Sequence, residues 1–135
     1  MSGPESAHRA WLAKAANDVL NIENNLASER IPWDTVCFHA QQAAEKTLKA
    51  FLILHGQPLS RTHDLVALLA ACVALEPSLA DLEPDCRDLT YFAVDARYPE
   101  QLFEADEQLA RAMVAAMSRV RARVLPLFRT SQDAT

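Results

Sequence analysis

An all-α, up-and-down bundle of four to five antiparallel helices is predicted by three features of this sequence. Apolar residues recur at the helical period, no stretch shows strand-like alternation, and glycine is nearly absent. Only Gly3 and Gly56 occur in 135 residues. Sheet proteins need many tight turns with positive φ, which glycine supplies most cheaply, so its scarcity favours long helices and few turns. Half the residues are apolar, enough for one core without disulfides or metal. One domain over residues 1–135 is therefore expected, with a core at about 8–125 and a frayed tail over 129–135.

Each helix has its own signal. Trp11, Leu12, Ala15, Ala16, Val19, Ile22 and Leu26 step by three and four, which predicts a first helix at about 7–28. Ile31-Pro32-Trp33 interrupts it. Either Asp34 caps a second helix or Pro32 occupies its first turn. That helix runs to about His55 and stops at Gly56, a favourable residue just past a helix end. Gln57-Pro58-Leu59-Ser60 reads as a loop. Ser60 or Thr62 is expected to cap a third helix carrying Leu65, Leu68, Leu69, Cys72 and Val73, ending before Pro77. A short turn leads to a fourth helix at about 85–96, closed by Tyr98-Pro99. A fifth, from about Gln101 to Leu125, carries Leu102, Ala105, Leu109, Met113, Ala116, Val120 and Val124 as its stripe.

Composition excludes several classes of function. The formal net charge is −5, against a general affinity for nucleic-acid phosphates. Charge is uneven: residues 76–107 carry a net of −8 and residues 108–135 a net of +4. Acids open the fifth helix and arginines close it, as its dipole favours. Arg111, Arg119, Arg121 and Arg123 scatter around that helix, which predicts a solvated surface and not a nucleic-acid face.

The cysteines, Cys37, Cys72 and Cys86, are odd in number and none stands in a Cys-x-x-Cys pair. Reduced, buried thiols are expected. Met1 to Ala7 shows no basic stretch followed by an apolar run, and no apolar run nears the roughly 20 residues of a membrane span. A cytoplasmic protein without a membrane partner is the expectation. Two distant glycines cannot build a phosphate loop or a dinucleotide fingerprint. The histidines His8, His39, His55 and His63 show no metal-binding spacing, so neither a metal nor a cofactor is expected.

The second helix is the most informative segment, with Gln41-Gln42-Ala43-Ala44-Glu45-Lys46-Thr47-Leu48-Lys49. Gln42, Glu45, Lys46 and Lys49 fall within one third of its circumference, with His39 at the edge. Phe38 and Ile53 interleave with them. They either form an interface with another chain or cover the margin of their own bundle.

This segment, with His63-Asp64-Leu65 before the third helix and Ala96-Arg97-Tyr98-Pro99 after the fourth, resembles the HEPN family, the domains named for nucleotide binding in higher eukaryotes and prokaryotes. Trp11, Ala15 and Asp18 on the first helix also fit, and the resemblance covers about residues 8–125. It implies a four- to five-helix bundle that commonly forms a homodimer. It also implies partnership with a small nucleotidyltransferase, often within a toxin–antitoxin or stress module.

Relatives that cleave RNA without metal carry Arg, four to six residues, then His. Here no histidine follows His63, Arg30 to His39 is too long and Arg61 to His63 too short. Ribonuclease activity is therefore not carried over, no catalytic residue is assigned, and RNA cleavage stands as the alternative.

The expected function is a non-catalytic subunit that binds a nucleotide or presents a substrate. Its candidate binding residues are Gln42, Lys46, Lys49, His63, Arg97 and Tyr98. Lys46 and Lys49 can meet phosphate or pair with Glu45 and its neighbours. His63, expected in the first turn of the third helix, can help an anion dock there or complete the cap with Asp64. Arg97 can hold a phosphate or pair with Asp64 or Asp95, and Tyr98 can stack on a base or pack over the bundle end.

Overall fold

In the computed structural model the described residues are 4–92 and 105–133, with the side chains of 4–6 and 130–133 excluded. They form five α-helices and one 3₁₀ segment, with no strand among them. Helix α1 spans Pro4–Leu26, α2 Trp33–Leu54, α3 Leu65–Leu75, α4 Glu83–Thr90 and α5 Glu107–Asp133. The 3₁₀ segment Pro77–Leu82 joins α3 to α4.

Helix α2 is the axis of the bundle, and α1, α3, α4 and α5 all pack on it. Its alanines 40, 43, 44 and 50 are buried, as are Leu48 and Phe51. Small side chains on one helix let its neighbours approach closely, and Leu48 and Phe51 fill what remains. Leu65, Leu68, Leu69, Leu89, Met117, Val120 and Val124 complete one continuous core.

Helix α1 runs against α2, so its Asp18 meets His39 and Lys46. Helix α5 runs beside α2 in the same sense. Arg111 lies over the Trp33 ring near both starts, Arg121 meets Thr47, and Phe128 packs on Phe51. The long return through residues 55–64 brings the start of α3 back beside Gln41 and Glu45.

Helix ends are set by caps, and they move several expected boundaries. Gly56 ends α2 at φ 79°. Gly56 N–H donates to the Ile53 carbonyl and Gln57 N–H to that of Leu52, which closes the last turn. Asp34 does not cap α2. Pro32 takes the cap position with its carbonyl accepting from Val36 N–H, while the Asp34 side chain accepts from Thr35 N–H.

Asp64 caps α3, accepting from Val66 and Ala67 N–H, whereas Ser60 and Thr62 bond within the preceding loop. His63 therefore lies before this helix and not in its first turn. Thr90 on α4 accepts from Leu65 N–H, another of the donors that a helix start leaves unmet.

Helix α4 ends at Thr90, short of the expected 96, and residues 93–96 lie outside the described residues. Helix α5 begins after Asp106, whose carboxylate accepts from Leu109 N–H, and not at Gln101. It also runs through Pro126 to Asp133 where a frayed tail was expected. Proline removes the bond to the carbonyl four residues back. Ala122 and Pro126 are both exposed, so that carbonyl has water within reach.

Of the α5 arginines, Arg111, Arg119 and Arg123 are exposed, as expected, and Arg121 is partly buried. Arg119 makes a two-pronged bond to Asp85 on α4, and Arg123 holds Asp81 and the Ser78 carbonyl of the 3₁₀ segment. They fasten α5 to that corner and line a shallow groove of about 330 Å³ with Asp81, Leu82, Asp85 and Ala122.

Candidate functional site

The side chains gathered on α2 form a polar network of two hydrogen-bonded clusters, one with α1 and one with the start of α3. Two buried carboxylates organise it. Asp18, on α1, accepts from Lys46 Nζ at 2.8 Å through one oxygen and lies 2.7 Å from His39 Nδ1 through the other. Glu45, on α2, accepts from Lys49 Nζ at 2.9 Å and from the Gln41 amide at 2.9 Å, and His63 Nδ1 stands 3.0 Å away. Gln41 also reaches the His63 carbonyl, and Gln42 donates to Gln41 at 2.7 Å.

The local causes are plain. Gln41, Glu45 and Lys49 stand four residues apart, so they stack along one side of the helix. His39, Gln42 and Lys46 form the adjacent row. Asp18 shares the inward stripe of α1 with Ala15 and Ile22, which drives a carboxylate against α2. A buried carboxylate is tolerable only when paired and hydrogen-bonded. Here both are, and no buried side-chain nitrogen or oxygen among the described residues lacks a partner.

Burial by itself pushes the Glu45 carboxyl up. The bonds from Gln41, Lys49 and His63 outweigh it and hold the group below its ordinary value. Lys49 is only 5% exposed and lies over the Trp11 ring, 5.7 Å from its centroid. Its charge is directed into the protein, at Glu45. Lys46 keeps 20% of its side chain exposed but is matched by Asp18. His63 is 63% exposed and stands at the mouth of the network.

In each carboxylate–imidazole pair the carboxylate can only accept, so Nδ1 carries the proton and Nε2 is the free acceptor of the neutral ring. The arrangement can therefore offer hydrogen bonds and proton-exchanging nitrogens. It has little uncompensated positive charge, because two carboxylates match two ammonium groups.

Of the sequence candidates, the structure brings together Gln42, Lys46, Lys49 and His63. Arg97 and Tyr98 lie outside the described residues. Ile53 is buried in the chain itself, and Phe38 is partly buried with its ring edge-on to His39 at 5.4 Å. Sequence reasoning left out His39, Gln41 and Glu45 as site members and gave Asp18 no role. A signal for Asp18 existed: it interrupts the apolar stripe Trp11, Ala15, Ile22 at helical spacing, where a carboxylate must find a partner.

The thiols are buried and free. Burial, reinforced by Asp34 and Asp106, raises Cys37 to about 11. Burial also raises Cys72 to about 12, with Cys86 adding to it, and Cys86 to about 12, with Asp85 and Glu83 adding. Such thiols are poor nucleophiles. Among the described residues no three His, Cys, Asp or Glu side chains converge as metal ligands, and no helix is long and apolar enough to cross a membrane.

The family model for the HEPN domain matches residues 8–127, and the chain belongs to that family. Membership is consistent with a role connected with nucleotides or RNA. No curated protein and no solved structure matches the chain.

Proposed function

We propose that this chain is a non-catalytic subunit that binds a nucleotide, or presents a substrate, for a small nucleotidyltransferase, as a homodimer within a toxin–antitoxin or stress module. The observation that carries this reading is the network on α2. The buried Asp18 holds His39 and Lys46, the buried Glu45 holds the exposed His63, and Gln42 is bonded to Gln41 beside them. Such a surface suits hydrogen bonding to a base, a ribose or a single phosphate. Its cations are already matched, so affinity is expected to be micromolar or weaker.

Calorimetry with the common ribonucleoside triphosphates tests this. Binding that His63→Ala, Lys46→Ala and Arg97→Ala each weaken supports it. Absence of heat with every nucleotide, from folded protein, refutes it. Co-expression with a nucleotidyltransferase encoded beside it tests the partnership: a stable complex is expected, and two separately eluting proteins count against it.

One feature favours a second reading, RNA cleavage. Two imidazoles, each oriented through Nδ1 by a buried carboxylate, have the form of acid–base groups. Divalent-independent cleavage of RNA by the purified protein, lost in His39→Gln, would replace the first reading with this one. Intact RNA after prolonged incubation with chelator removes it.

A further inference from the structure

Along the middle of α5, three arginines have acidic partners and one does not. Arg111 pairs with Glu107, Arg119 with Asp85 and Arg123 with Asp81. Arg121 is partly buried, and among the described residues its partner is a single neutral group. Its Nη1 donates to Thr47 Oγ1 at 3.0 Å. Thr47 is fully buried and donates onward to the Ala43 carbonyl at 2.7 Å, which fixes its oxygen beneath the guanidinium.

A guanidinium has five N–H donors in a rigid fork. No buried side-chain nitrogen among the described residues is left without a partner, so the unused edge of the Arg121 fork opens outward. Desolvation draws its pKa down, with no carboxylate to offset it. A half-desolvated cation held by an alcohol is a costly arrangement in isolation, and an arriving anion relieves it.

Position sets this group apart from the polar clusters on α2. Two residues on a helix correspond to about 200°, so Arg121 leaves α5 on the flank opposite Arg119 and away from α4. On that flank α1 is the next neighbour across α2. Helices α1 and α5 both pack on α2 but not on each other along their length, although the His8 ring stacks on Phe128 at one end. Val114 and Leu125 share the flank and are partly exposed, which gives the seam apolar walls.

We propose that Arg121 is the floor of an oxyanion site in the α1–α2–α5 seam, one that takes a carboxylate or phosphate group in the two-pronged geometry of a guanidinium. Thr47 positions the fork, and the apolar walls lower the local dielectric and strengthen the contact. The anion is a free small molecule or an acidic side chain of another protein molecule.

The test follows the Arg121 Nε–Hε resonance of the full chain by NMR. Inorganic phosphate and acetate are added in separate titrations, and the protein is diluted without added anion in a third series. A saturating shift with phosphate or acetate supports a small-molecule oxyanion. A shift on dilution, together with a concentration-dependent molecular mass by light scattering that Arg121→Gln abolishes, supports an acidic side chain from a second copy. The thermal midpoint is expected to rise with phosphate and saturate in the wild type and in Arg119→Gln. In Arg121→Gln that response is expected to fall at least tenfold, and in Arg121→Lys to fall partway. A resonance unmoved in all three series overturns the proposal. So does a shift that only grows linearly with salt, which marks an adventitious ion only. A phosphate response that survives Arg121→Gln in folded protein overturns it too. Nucleotide binding at the α2 clusters is read from the His63 and Lys46 variants, so the two ideas fail separately.

Discussion

Replacing Glu45 with glutamine should be among the most damaging single changes available to this protein, although it alters no volume. The Lys49 ammonium is 5% exposed and the Glu45 carboxylate 4%, and they meet at 2.9 Å. Glutamine keeps an acceptor oxygen but leaves the ammonium buried without a counter-charge, a loss of about 3–5 kcal/mol. Its amide N–H₂ also competes with the Gln41 amide and His63, both of which now point donors at the same place. Lys49 stays over Trp11 in both forms, so the cation–π contact does not distinguish them. Against a domain stability of about 5–15 kcal/mol, Glu45→Gln should lower the thermal midpoint by roughly 10–20 °C.

Lys49→Met should cost less, about 1–3 kcal/mol, because Glu45 retains Gln41 and His63 as donors. The double variant Glu45→Gln/Lys49→Met removes both charges and should lie within about 2 kcal/mol of wild type, since apolar replacement of a buried pair is often near neutral. Urea unfolding followed by circular dichroism gives all four corners of the cycle. The sign with pH is fixed by the lowered Glu45 pKa. Its stabilisation is fully present above about 4.5, the ordinary carboxyl value, and is lost as pH falls through the depressed one. Glu45→Gln should flatten that acid limb. A cost below about 1 kcal/mol for Glu45→Gln, or strict additivity in the double variant, would refute the reasoning.

Two further outcomes are expected. Asp64→Ala removes the acceptor for Val66 and Ala67 N–H and should cost about 0.5–2 kcal/mol, with Asp64→Asn recovering most of it; equal losses in both would mean the cap is not the cause. Cys37, Cys72 and Cys86, raised to about 11, about 12 and about 12, should resist a thiol reagent at pH 8 in native buffer and react together in denaturant. Rapid labelling of any one of them in the native state would contradict its burial.

The helices were legible because their apolar period is a one-dimensional signal. The ends of α3 and α5 were less so, because several residues near each start can cap, and the choice between Ser60, Thr62 and Asp64 is made by how the 55–64 return lies against α2. The fifth helix was expected to end at about Leu125, yet it continues through Pro126, because an exposed turn can tolerate one missing backbone bond. The site was half legible. Four residues along one segment identified the polar side of α2, but the partner of Lys46 is Asp18, 28 positions away, and only the packing of α1 on α2 supplies it. Likewise Glu45 was read as a surface pairing partner for Lys46 and Lys49, whereas its pair with Lys49 is buried. Its burial follows from α3 starting where it does, and that start is a tertiary fact. The same limit hid Arg121, whose neutral partner Thr47 lies 74 residues away.

The shared direction of α2 and α5 has an electrical consequence. Two helices laid head beside head place both positive poles, each about half an elementary charge, at one end of the molecule. Asp34 and Glu107 stand in those first turns and Asp106 at the α5 cap. Both aspartates lie close enough to press upward on the same thiol, Cys37. The acids at this end thus act as a clamp on a pair of like poles that would otherwise push apart.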